Sequence, residues 1–179
     1  GSGKTSFILT LLGFLSPISG KILVSYDGIK WSRVDPIYLK KIAYMPQDPQ
    51  VFEGSIEDNI LFKRHQNSNK VSQLIRLLNL SVIKNLNLEQ IETNNRSAQD
   101  ISGGQRQRVV MARLLYDNPK FVIVDEGTSM LDINSEKLVM GLFKKLPNDS
   151  IFFQVSHRET VLNMCSRRLI IKNSVMKEK

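Results

Sequence analysis

The sequence predicts an α/β fold: a mostly parallel sheet flanked by helices, with a small helical subdomain inserted into it. Three observations carry that prediction. Short apolar runs at 42–45, 121–124 and 151–155 each stop at a proline or a polar residue; helical patterns lie between them; and polarity rises over 48–100, between the first run and the second. Apolar strands bounded by turns and separated by helices are the pattern of a parallel sheet covered on both faces.

The elements follow in order. Residues 5–15 are nearly all apolar and predict a helix buried on most sides, stopped by Pro17 and Gly20. Residues 21–26 read as a strand closed by the Asp27-Gly28 turn, and the run 42–45 ends at Pro46, which cannot continue a ladder. Asn-rich spacers at 66–70 and 94–96 flank the amphipathic stretch 71–80, as expected of a small helical subdomain. Over 104–116, Val109, Ala112 and Leu115, with Val110 and Leu114, recur at helical spacing. The runs 121–124 and 151–155 then give way to Asp125 and Ser156.

Bulk properties exclude several classes. A chain of 179 residues with 41% apolar and 23% charged residues can build a cored domain and is not disordered. Cys165 is the single cysteine, so there is no disulfide framework and no Cys-rich zinc site, and it is read as a small buried hydrophobe. The greasy stretch 7–15 is broken by Thr10 and Gly13 and falls short of the about 20 apolar residues a spanning helix needs, so the chain is not expected to cross a bilayer by itself. The net charge of +8 is scattered, with local concentrations at Arg106/Arg108, Lys144/Lys145 and the tail; it permits an acidic partner such as nucleotide, nucleic acid or lipid headgroup.

The chain opens G-S-G-K-T-S. Taken alone, these six residues are read most simply as a linker; they also match the second half of a phosphate-binding loop, G-x-x-x-x-G-K-[ST], with Gly3, Lys4 and Thr5 its last fixed positions. In open parallel sheets ligands bind beyond the carboxyl ends of the strands, where the sequence puts Gln47, Asp125 with Glu126, and His157. Phosphoryl transfer to water needs amides and a lysine around the phosphates, a hydroxyl and a carboxylate on magnesium, and a group that orients the water. Gly3 with Lys4, Thr5, Asp125 and Glu126 supply that set in order.

The run I-S-G-G-Q-R-Q-R at 101–108 resembles the signature motif of the ATP-binding cassette (ABC) ATPases and is the most specific short motif in the chain. Around it, residues 1–6 resemble that family's Walker A loop from its middle onward, Y-M-P-Q at 44–47 its Q-loop, and 121–126 its Walker B strand. S-M-L-D at 129–132 resembles its D-loop, and V-S-H-R at 155–158 its switch histidine. Six motifs in order span nearly the whole chain, so the opening is read as a phosphate loop cut in its middle.

The resemblance implies a RecA-like core in two parts, 1–47 and 119–179, around a helical subdomain at 48–118. Gly1, Ser2, Gly3, Lys4, Thr5 and Ser6 would bind ATP, with Lys4 on the β- and γ-phosphates. Thr5, Asp125 and Gln47 would hold Mg2+, Glu126 would act as general base, and His157 would touch the γ-phosphate. Ser102, Gly103, Gly104 and Gln105, at a helix start, would cap ATP bound by a second, identical or different, nucleotide-binding domain. Ser102, Gly104 and Asp132 would thus lie at a head-to-tail dimer interface.

The stretch 47–60 resembles the segment of exporter-type cassettes that receives the membrane domain. The reading is therefore the ATPase of an exporter on the cytoplasmic face of a membrane, with a transmembrane partner domain on the same full-length chain or another. No specific nucleic acid is expected. Alternatives are a soluble cassette acting on nucleic acid or ribosomes, and a regulatory cassette that does not hydrolyse ATP. Departures from the pattern are Arg96 and Ala98, where exporters carry Glu-x-Gly, and Gly127, where alanine is usual and where the glycine is expected to loosen Glu126. The family's adenine-stacking aromatic has no counterpart here, and Trp31 and Tyr38 are read as structural.

Overall fold

The computed structural model describes residues 3–25, 27–34, 38, 41–83, 101–147, 149–172 and 175–178. Expectations that fall on Gly1, Ser2, Tyr26, the spacer at 94–96, Arg96 and Ala98 lie outside the described residues. Along the chain come helix α1 (Lys4–Leu11), strands β1 (Leu23–Val24), β2 (Ser32–Arg33) and β3 (Ile42–Met45), then helices α2 (Ile56–Leu61) and α3 (Ser68–Leu77) and a 3-10 turn, Ser81–Ile83. Helix α4 (Gly103–Leu115), strand β4 (Phe121–Asp125), helix α5 (Ile133–Phe143), strand β5 (Ile151–Val155), helix α6 (Glu159–Leu162) and strands β6 (Leu169–Lys172) and β7 (Val175–Glu178) complete the described elements.

These elements pack into two units, one of residues 1–42 with 157–179, the other of residues 43–156. In the first, β1 pairs antiparallel with β2, and the Asp27 carboxylate closes their turn by accepting from the amides of Ile29 and Lys30, both at 2.8 Å. Those amides, and the Ser25 hydroxyl after them, hold the Asp27 carboxyl below its usual range. Strands β6 and β7 form a second antiparallel hairpin, braced by Arg167 on both carboxylate oxygens of Glu178. The unit's buried apolar residues include Ile8, Leu12, Val24, Tyr38 and Val161.

The expectation for residues 5–15 is corrected here. The helix ends at Leu11, Gly13 turns the chain at φ 74°, and Phe14 and Leu15 fall in the exposed loop beyond. Within the helix itself only Ile8 is buried. Cys165 is half-buried rather than buried, its thiol directed at the Val161 carbonyl, and Trp31 is exposed, so it is no core residue.

The second unit contains the sheet, in the order β3-β4-β5. Strands β4 and β5 are parallel, in register from Phe121 opposite Ile151 to Asp125 opposite Val155. All five residues of β4 are buried, which is why 121–125 reads as an unbroken apolar run up to its last residue. Of the stretch 71–80, expected to be amphipathic, residues 71–77 lie in α3, where Val71, Leu74 and Ile75 are buried on one face. Helix α2 starts on a capping box, Ser55 accepting from the Asp58 amide while Asp58 accepts from the Ser55 amide, and packs on α3 and α4. One side chain fastens it: Arg113 of α4 donates to Asn59 O at 2.7 Å, Asn59 Oδ1 at 3.1 Å and Gln50 O at 3.1 Å, and lies over the rings of Phe52 and Phe62.

Candidate functional site

In the first unit the candidate residues sit at the start of α1. Gly3 stands before the helix at φ 91°, a conformation open to glycine and strained for other residues. The first-turn amides have no partner one turn back, which makes a helix start a place for anions. Lys4 Nζ lies 3.1 Å from His157 Nε2. A lysine ammonium donates and cannot accept, so this contact pairs a donor on Lys4 with a ring nitrogen of His157. Thr5 and Ser6 are exposed beside it.

In the second unit the site forms where β3 and β4 end. Pro46 stops β3, and Gln47 Nε2 donates to Glu126 Oε2 at 3.1 Å. Asp125 closes β4 at 7% exposure. The Tyr44 hydroxyl is pushed up, first by burial and then by the negative charge of Asp125. Glu126 leaves the strand in the left-handed region at φ 53°, while its amide still donates to Val155 O at 3.1 Å and its carbonyl accepts from Ser129. The bend points the chain away from the ladder directly after the strand, where a carboxylate can meet a ligand. The backbone freedom expected of Gly127 is not used: its φ lies outside the left-handed region, and Glu126 carries that conformation instead.

Helix α4 opens on Ser102, whose hydroxyl accepts from the Gln105 amide while Gln105 Oε1 accepts from the Ser102 amide at 2.9 Å. Residues 129–132 pack against this start: a Cβ on Gly103 would collide with Met130 Sδ, and one on Gly104 would meet Met130 O at 3.1 Å. A methyl at 103 would displace the exposed Met130 tail, and one at 104 would press on a backbone carbonyl, so the firmer constraint is at Gly104. Asp132 caps α5, accepting from the amides of Asn134 and Ser135 and from the Ser135 hydroxyl. The hydroxyl, then the Ser135 amide, hold its carboxyl below the usual range.

Sequence reading gave no separate role to Gln107. It is fully buried, donating to Ser129 Oγ at 3.4 Å and accepting from the Met130 amide at 3.2 Å. The available signal was a polar residue sharing a helix face with Val110, Met111 and Leu114. Thus Gln47 meets Glu126, Lys4 meets His157, and the signature glycines meet the segment that ends at Asp132.

Within the second unit a buried strand ends in two carboxylates with a glutamine on the second, and within the first a glycine-lysine pair opens a helix; each is a feature of the P-loop class of α/β proteins. The family model described as "ABC transporter" matches residues 1–129, and the chain belongs to that family. It is 34% identical over 177 residues to the lactococcin-A transport/processing ATP-binding protein of Lactococcus lactis subsp. lactis, covering 96% of this chain and 24% of that one. It is 32% identical over 174 residues to an export ATP-binding/permease protein of Rickettsia typhi, covering 96% and 30%. The solved structure of a bacterial Atm1-family ABC exporter with ATP bound superposes with a TM-score of 0.78 at 24% identity, covering 96% and 30%, which shows the fold. The chain therefore spans 24% and 30% of the length of these two relatives. Among the described residues no helix is long and apolar enough to cross a membrane.

Proposed function

We propose that this chain is the ATP-hydrolysing cassette of an exporter, with Glu126 activating the attacking water. The observation that carries the reading is the Glu126 carboxylate, turned out of a buried strand next to Asp125 and held by Gln47 at 3.1 Å. The names of the relatives, a transport/processing ATP-binding protein and an export ATP-binding/permease protein, support the coupling to transport. The cassette divides into core segments 1–47 and 119–179 around a helical subdomain, 48–118. It works on the cytoplasmic face of a membrane, against a transmembrane domain that meets the segment after Gln47.

The chemistry follows from the residues. The first-turn amides of α1 and Lys4 neutralise the phosphate oxygens, and Ser2 and Ser6 extend that cradle. Asp125, Gln47 and Thr5 offer a carboxylate, an amide oxygen and a hydroxyl, the hard oxygen donors that would suit magnesium, and would be the residues to hold it. When bound, the metal draws charge from the γ-phosphate. Glu126 takes the proton of the water as its oxygen bonds to the γ-phosphorus, and the bridging oxygen leaves with ADP. His157 touches the γ-phosphate once Lys4 turns to the nucleotide. Ser102, Gly103, Gly104 and Gln105 close over ATP held by a second cassette, so two chains meet head to tail.

The test is association. With ATP and magnesium, Glu126→Gln sediments as a dimer while wild type returns to monomer as ATP is consumed. A variant that binds ATP yet stays monomeric overturns the head-to-tail reading.

A further inference from the structure

We propose that Met45 and Gly127 form a size-matched pair whose fit holds Glu126 within reach of Gln47. The inference rests on the reading of Glu126 as the group that activates water. Met45 closes β3 two residues before Gln47, and Val124 lies two residues before Glu126; both are at 0% exposure. A Cβ on residue 127 would stand 2.6 Å from Val124 Cγ1, 2.8 Å from Met45 Sδ and 2.9 Å from Met45 Cε. Unstrained carbon contacts begin at about 3.5 Å, so an alanine has no room there.

Glycine is therefore needed at 127 for space. The unbranched methionine tail fills the volume a methyl would take, as that side chain does in irregular cores. The absence of a side chain at 127 and the methionine tail from 45 thus fit one another sterically.

The same contact reaches the chemistry. Glu126 is a non-glycine residue at φ 53°, a conformation that persists only when its surroundings over-determine it. Its amide is held by Val155, its carbonyl by Ser129 and its carboxylate by Gln47. A methyl at 127 enters only if Met45 or Val124 moves, and each is two residues from one partner of the Gln47–Glu126 hydrogen bond. Gly127 and Met45 are positioning residues, acting through that pair rather than on substrate.

The experiment measures ATP hydrolysis under conditions where circular dichroism shows each variant folded. Gly127→Ala lowers kcat by about tenfold or more with KM for ATP nearly unchanged, since misplacement of a reacting group costs rate rather than affinity. Adding Met45→Val vacates the space into which the Val124 methyl can turn, and returns most of the lost kcat. Met45→Val alone leaves a gap instead of a clash; it keeps the test readable should the alanine variant not fold, and an unchanged kcat in it overturns the pairing. Glu126→Gln run alongside separates the two claims. If Glu126→Gln hydrolyses at the wild-type rate, the catalytic reading falls and this inference with it. If Glu126→Gln is inactive while Gly127→Ala matches wild type, or the double variant is no better than Gly127→Ala, the pairing alone is overturned.

Discussion

Arg113 shows how one side chain can organise a surface. Burial, and then the neighbouring Arg64, push its guanidinium down to about 10, so it stays charged at neutral pH while accepting the cost of desolvation. What offsets that cost is a set of neutral acceptors, two backbone carbonyls and an amide, with two aromatic faces. Arg113→Met keeps the stem but takes the guanidinium donors from Asn59 O and Gln50 O in a part-buried site, leaving Asn59 Oδ1 with the Phe52 amide. We expect a loss of about 2–4 kcal/mol in urea unfolding, and Arg113→Lys to recover only part of it because an ammonium lacks the planar fork. At this scale the sequence was informative wherever a motif names its own atoms. Gln47, Asp125 and Glu126 were legible from their places after apolar runs, whereas the left-handed turn at Glu126 was not, since nothing in a glutamate announces a positive φ. Gly127, the one glycine beside it, invited the wrong explanation.

Helix starts govern the elements. Ser55 caps α2 and Ser102 caps α4, each in a reciprocal box with the residue three places on. Ser55→Ala should cost about 1 kcal/mol, read as a lower urea midpoint with an unchanged slope. Acid adds a second signature. Asp58 is held below its ordinary range first by the Ser55 hydroxyl and then by the Ser55 amide, and Asp132 likewise by Ser135. A carboxyl with a depressed folded pKa contributes stability that is complete above its unfolded value near 4 and is lost as pH falls through the lower folded value. Asp58→Asn should therefore flatten the loss of stability between about pH 4 and pH 2 relative to wild type, followed by circular dichroism. Strand β4 was legible because burial on both faces writes an unbroken apolar run, and α4 because its apolar positions repeat at helical spacing. The end of α1 was not: composition over 5–15 is uniformly greasy, and the turn at Gly13 depends on backbone geometry rather than hydropathy. Helix α5 and the β6–β7 hairpin likewise lacked a distinct signal, the hairpin because its strands β7 and, at Leu169 and Ile170, β6 stay exposed.

For the whole molecule, the parallel β4–β5 pair and the ABC family match establish the class of fold, and the six ordered motifs made that class readable before any coordinates. The second cassette that the signature is proposed to serve is not visible in a single chain. A Cβ at 104 would stand 3.1 Å from the Met130 carbonyl, so Gly104→Asp crowds the helix start and adds negative charge where the proposed partner phosphate would sit. It should abolish ATP-driven association and hydrolysis while leaving fluorescent-nucleotide binding to the monomer intact; loss of monomer binding would place the signature on the chain's own nucleotide instead.

In the proposed mechanism Glu126 activates the water. Magnesium-dependent release of phosphate from ATP, compared between wild type and Glu126→Gln at equal ATP occupancy, tests it most directly. Turnover in wild type with a fall of about a hundredfold or more in the variant is the predicted result, the scale of a lost general base. Equal rates in the two proteins would contradict it.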